Sequence, residues 1–166
     1  QEHAKAARLH NEVVVLHMAG RNPDLDGSFR LERELDEALT LGIPTYHVWY
    51  RCSPVPGWAF LCETYSTLRA ARRIIAAGFR PELIHAHIFD AGFCAVLLGR
   101  LYRLPVIVTE QFSAFLRGFL ERRQLWKARF TFKTARLVLP VSRALQRAIE
   151  AYGIRSRFRV VPNTVD

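Results

Sequence analysis

An α/β domain built on a parallel sheet, with helices on both faces, is the fold class this sequence predicts. Three observations carry the prediction. Short continuous apolar runs alternate with apolar residues at helical spacing along most of the chain, the pattern of repeated βα units. The composition, 50% hydrophobic, 23% charged and 11% aromatic, excludes a disordered chain, a coiled coil and a collagen-like repeat. The length of 166 residues suits one domain of about 150 and is too short for two full ones.

Residues 1–10 read as the end of a helix, with Ala4 and Ala7 apolar among charges. The β-branched run 13–17 (VVVLH) is a first strand, and 20–27 (GRNPDLDG) is a turn-rich loop. Leu31, Leu35, Ala38 and Leu39 fit a short helix over 31–39 slightly better than a strand. Gly42 and Pro44 punctuate, then 45–50 (TYHVWY) is a second strand and 53–57 a proline loop. From Trp58 the spacing Trp58, Leu61, Tyr65, Leu68, Ala71, Ile75 marks one face of a helix that stops at Gly78. Strands then follow at 83–87, 106–109, 137–141 and 158–161, separated by helices at 91–102, about 112–134 and 143–152.

Apolar runs such as 13–16 and 95–98 are broken by charges long before the roughly 18 residues of a membrane span. The first nine residues lack the apolar run of a signal peptide, and Cys52, Cys62 and Cys94 show no CxxC spacing. A reducing, cytoplasmic compartment is the expectation. The net charge of +9 is uneven: residues 1–83 hold ten Lys/Arg and ten Asp/Glu, residues 84–166 fourteen against five. Arg117, Arg122, Arg123, Lys127, Arg129, Lys133 and Arg136 crowd one segment, which should attract phosphate in some form. On one continuous helix Phe115, Phe119, Arg122, Trp126 and Lys133 would share a face, suited to an anionic membrane surface contacted through Arg117, Arg122, Arg123, Trp126 and Lys127. A break near Gly118, or arginine stems lying over core aromatics, would dissolve that face.

Ligands of parallel sheets bind outside the carboxyl ends of the strands, which here carry His85-Ala86-His87, Thr109-Glu110-Gln111, Val141-Ser142 and Pro162-Asn163. His85 and His87 project to one face, yet Cys or carboxylate partners at ligand spacing are lacking apart from Asp90, so no metal is expected. Asp90 is placed to cap the following helix, and Gly92 to let a ligand approach the backbone. Glu110 could orient a hydroxyl or pair with an arginine. Ser142 reads as a helix cap, since no GxSxG elbow surrounds it.

The stretches PELIHAHIFDAGFCAVLLGRLYRLPVIVTEQFSAF (81–115), ARLVLPVSRALQRAI (135–149) and FRVVPNTVD (158–166), in this order, resemble the amino-terminal domain of retaining group 1 (family 4) glycosyltransferases. These are two-domain GT-B enzymes. The resemblance implies a Rossmann-like, acceptor-side domain whose donor-binding partner domain follows the hinge at Asn163, with an opening strand and glycine-rich loop missing. By that topology the absent strand would lie between those at 13–17 and 83–87, leaving exposed edges. It implies a nucleotide-sugar donor, a sugar or lipid-linked acceptor, no cofactor and no metal. His87 would stand near the sugar and the acceptor hydroxyl, with Asp90, Gly92, Thr109, Glu110, Gln111, Ser142 and Asn163 around the substrate. The family often has histidine where Gln111 stands, which argues against acid/base work there. Without the donor residues the chain is expected not to turn over by itself. The rival is a free-standing flavodoxin-like or nucleic-acid-binding module, supported by charge alone: no helix-turn-helix, RNA motif or GxGxxG loop is present, and no nucleic-acid partner is expected.

Overall fold

The structure, a computed structural model, describes residues 7–35, 40, 42–52, 55 and 57–162. The chain folds as two compact units, residues 1–79 and 80–166.

In the first unit, residues 7 and 8 are helical, and the Asn11 side-chain amide donates to the Ala7 carbonyl at 2.9 Å. Three strands follow, β1 (Val15–Arg21), β2 (Phe29–Arg33) and β3 (Thr45–Tyr50), in the order β1-β3-β2. β1 runs parallel to β3 and passes the point where a loop was expected, because a bulge between Met18 and Gly20, with Gly20 at φ 114°, absorbs one residue and lets pairing resume.

β2 overturns the helix expected over 31–39, of which 36–39 lie outside the described residues. It pairs antiparallel with β3, so this sheet is mixed. The reason is tertiary. The helical reading needed Leu35 inside, yet Leu35 is 84% exposed, whereas period two half-buries Phe29 and Leu31 and turns Arg30 and Glu32 outward.

Helix α1 (Trp58–Ala76) forms where the spacing placed it but turns a different face inward. Ser66, Ala70, Ala71 and Ile74 are buried, while Trp58, Leu61 and Tyr65 are about half or more exposed. Small side chains let the helix lie close to β1 and β3. The guanidinium groups of Arg69 and Arg73 stand 4.8 and 5.0 Å over the Phe29 ring, covering an aromatic that the edge strand would otherwise leave open.

The second unit is a parallel sheet flanked by helices: β4 (Ile84–His87), α2 (Ile88–Tyr102), β5 (Val106–Glu110), α3 (Ala114–Arg117), α4 (Arg122–Thr134), β6 (Leu137–Pro140) and α5 (Arg143–Ala151). Register brings Ala86, Val108 and Val138 side by side on one face, where they form a core with Phe89, Val96, Phe115, Phe132, Leu145 and Ile149. His85, Ile107 and Leu137, and likewise His87, Thr109 and Leu139, line the other face.

Three expectations change here. The long helix is broken, because Gly118 at φ 74° ends α3 and Glu121 starts α4 with a reciprocal capping box to Gln124. The strand expected at 158–161 is a short parallel stretch meeting β6 at one bridge, Val138 with Phe158. Helix α2 begins at Ile88 rather than 91, directly on the strand end.

Gly92 is buried where α2 crosses α4 and β5. A Cβ there would lie 2.7 Å from Thr131 Cγ2 and 3.2 Å from Val108 Cγ2. Gly92→Val is therefore expected to lower stability by about 1–3 kcal/mol through overpacking, more than the few tenths that valine's better helix propensity offers. Urea denaturation checks it, and an unchanged midpoint would refute the close packing.

Candidate functional site

Each strand of the second unit delivers its last residues to one edge of the sheet. His87 ends β4, is exposed, and occupies the N-cap position of α2 with extended backbone (φ −105°, ψ 127°) and no capping bond from its ring. Its ring lies 4.8 Å from that of His85, tilted by 30°. Nε2 of His85 is 2.7 Å from the Thr109 hydroxyl, and Thr109 is buried at 3% exposure. The two histidines thus share a face, as the strand period requires. Among the described residues no group of three His, Cys, Asp or Glu could hold a metal.

The backbone beyond His87 is unusual. Ile88 has φ 61°, a left-handed conformation that β-branched residues rarely adopt and that costs on the order of 1–3 kcal/mol. Just beyond it the chain is held firmly. Phe89 N–H donates to Glu110 Oε2 at 2.9 Å, and the Thr131 hydroxyl donates to the Phe89 carbonyl at 3.3 Å. The Phe89 ring is fully buried between the edges of Phe112 and Phe115, each 5.8 Å away.

Glu110 lies in the core, with no exposed surface. Its second oxygen accepts from Phe112 N–H at 2.7 Å, so both carboxylate oxygens serve backbone donors. Burial pushes its carboxyl up to about 7 against the opposing pull of the Phe112, Phe89 and Gln111 N–H groups, and the nearby Asp90 pushes the same way. A side chain so placed braces the site from beneath. Strand alternation carried a signal for this: Val106, Val108 and Glu110 share one face of β5, opposite Ile107 and Thr109.

Asp90 does not cap α2; it is the helix's third residue and accepts from Lys127 Nζ at 3.0 Å, across 37 positions of sequence. Gly92 faces Thr131 and Val108 and offers its small size to helix packing rather than to a ligand. Ser142 is the N-cap of α5, its hydroxyl accepting from Leu145 N–H at 3.1 Å, as expected of a cap. Gln111 is exposed immediately after β5, and Asn163 lies outside the described residues. His87, Gln111 and the Ser142 turn therefore stand at the carboxyl ends of three adjacent strands, the usual ligand edge of such a sheet. Sequence reasoning missed Ile88 and Thr131, since nothing local in an isoleucine announces a positive φ.

The basic segment is also rearranged. Phe115 is buried at 2% and leaves the aromatic stripe for the core, and Lys127 is tied to Asp90. Phe119 and Trp126 remain 77% and 56% exposed, with Arg117, Arg122 and Arg123 exposed beside them in sequence. Trp126 stacks one side on Phe130 at 5.9 Å.

A family model described as Glycosyltransferase Family 4 matches residues 4–166. Among solved structures the chain is similar to sucrose-phosphate synthase from Thermosynechococcus elongatus, with a TM-score of 0.61 and 13% identity, over 96% of this chain and 40% of that one. A second structure under that name, from the same organism, aligns with a TM-score of 0.58 and 17% identity over 98% of this chain and 82% of that one. The chain thus spans about two-fifths of the longer of the two. No curated protein sequence matches it. The structural likeness concerns the fold, that of a GT-B glycosyltransferase domain.

Proposed function

This chain belongs to Glycosyltransferase Family 4, and from that premise we propose that it is the acceptor-binding domain of an enzyme moving a sugar from a nucleotide-sugar donor to an acceptor hydroxyl, with retention at the anomeric carbon. In this reading the acceptor hydroxyl attacks the sugar C1 and the diphosphate leaves toward cations of a second, donor-binding domain. The observation that carries it is His87: an exposed imidazole at a strand end, on a strained turn braced from below. A neutral imidazole donates one hydrogen bond and accepts another, which suits a sugar or acceptor hydroxyl. Cys52, Cys62 and the buried Cys94 form no disulfide, which suits a cytoplasmic setting.

In an active enzyme containing this chain, His87→Ala is expected to lower kcat/KM by about 10–100-fold, the worth of one or two lost hydrogen bonds in the transition state. The melting temperature should hardly move, because the ring is exposed. For the chain itself, titration with methyl glycosides of glucose, mannose and galactose, followed by amide chemical shifts, should displace residues around His87, Gln111 and Ser142. Normal turnover with a large loss of stability in His87→Ala would sink the reading.

A peripheral contact with anionic membrane rests on a separate observation, the exposed Phe119, Trp126 and Leu116 beside Arg117, Arg122 and Arg123. Rings would enter the head-group layer while the arginines meet anionic lipid, each contributing about 1 kcal/mol at low salt. The chain should float with phosphatidylglycerol vesicles at low ionic strength and detach as salt rises. Changing the three arginines to glutamine should abolish flotation, and equal binding to neutral phosphatidylcholine would rule out the electrostatic part. No helix among the described residues is long and apolar enough to cross a membrane.

A further inference from the structure

Three strand-to-helix turns meet at one residue. The Glu110 carboxylate accepts from Phe89 at the start of α2 and from Phe112 after β5, while its main-chain carbonyl accepts from Val141 N–H after β6 at 3.0 Å. A fully buried carboxylate is costly unless its oxygens are satisfied, and here backbone donors satisfy them. An apolar side chain of equal size would fill the space but leave the N–H groups of Phe89 and Phe112 without their acceptor. The Phe89 bond is placed where it matters most, one residue beyond Ile88 at φ 61° and two beyond His87. A left-handed isoleucine persists only where its neighbours over-determine it.

We propose that Glu110 is a positioning residue for His87: by holding the N–H groups of Phe89 and Phe112 it keeps the β4–α2 turn in its left-handed form and so sets where the imidazole stands at the ligand edge of the sheet. The role of that imidazole rests on the functional reading above; the mechanical coupling stands or falls separately.

The test uses the isotope-labelled 166-residue chain at pH 8, wild type against Glu110→Gln. Glutamine preserves size and one acceptor oxygen but presents an NH2 group to one of the two N–H donors. At least one of the Phe89 and Phe112 amides should lose hydrogen-exchange protection by tenfold or more, on the order of one lost hydrogen bond. The His87 ring signals should shift and lose their proximity signal to His85, while those of His17 and His47, in the other unit, stay in place. An unmoved His87 ring alongside an unprotected amide would overturn the proposal and leave Glu110 a plain core brace.

Ile88→Gly supplies the second arm, because glycine holds φ 61° without strain. In that background Glu110→Gln should displace the His87 ring by less than half as much as in the wild type; equal displacement in both overturns the coupling. If Glu110→Gln does not fold, Glu110→Asp, which keeps the charge but withdraws it by one methylene, is read in both backgrounds with the same outcomes. Should the sugar reading be the one at fault, methyl glycosides will leave the wild-type spectrum unchanged while Glu110→Gln still moves His87.

Discussion

Phe89→Ala should reduce the unfolding free energy of the second unit by about 3–5 kcal/mol, a large share of the roughly 5–15 kcal/mol that holds an ordinary domain. Phe89 is fully buried, meets Phe112 and Phe115 edge to face, and sits where the left-handed turn enters α2. Removing its ring subtracts the transfer free energy and leaves a cavity among β-sheet and helix side chains that cannot collapse far, because the N–H and carbonyl of Phe89 stay bonded to Glu110 and Thr131. The two terms act in the same direction. Urea denaturation followed by Trp126 fluorescence reads the loss. Phe119→Ala is the control: that ring is 77% exposed, and its removal should change stability by no more than about 0.5 kcal/mol. A Phe89→Ala loss below about 1 kcal/mol would show that the core is not closed around this ring.

Acidification should stabilise the chain through Glu110. Burial raises its carboxyl from 4.5 to about 7, so the folded state binds the proton more tightly than the unfolded state. The stability this linkage contributes is fully present below about pH 4.5 and is lost as pH rises through about 7. Its size is on the order of 3 kcal/mol across that window. Histidines titrate in the same range, so wild type must be compared with Glu110→Gln, which keeps them and lacks the carboxyl. Between pH 5 and 8 the wild type should lose more stability than the variant, by up to that amount. Parallel pH profiles would mean that the carboxyl is ionised throughout and that the backbone donors outweigh the desolvation.

What residue pattern alone could determine was set by the backbone. The runs at 45–50, 106–110 and 137–140 became strands because continuous apolar β-formers can be buried on both faces only in a covered sheet, while 84–87 turns only Ile84 and Ala86 to the core. Helices α1, α2 and α5 likewise formed where the residue pattern placed them, α1 with a different face inward and α5 with Ser142 as its cap. The position of His87 at a strand end was legible for the same reason, since a parallel strand brings its last residues to one edge.

The remainder depended on partners distant in the chain. Phe29–Arg33 is a strand because β3 offers it an edge and Arg69 and Arg73 cover its phenylalanine, neither of which a local window contains. Asp90 faces Lys127 instead of capping its helix, Phe115 leaves the surface for the core once Gly118 breaks the helix, and Gly92 serves a helix crossing. Ile88 takes a left-handed backbone that no isoleucine would choose alone. Local pattern sets which backbone conformations are inexpensive, within a kilocalorie or so per residue. Burying Phe89 and satisfying the bonds to Glu110 involve several times that, so at this turn the tertiary structure overrides the local preference.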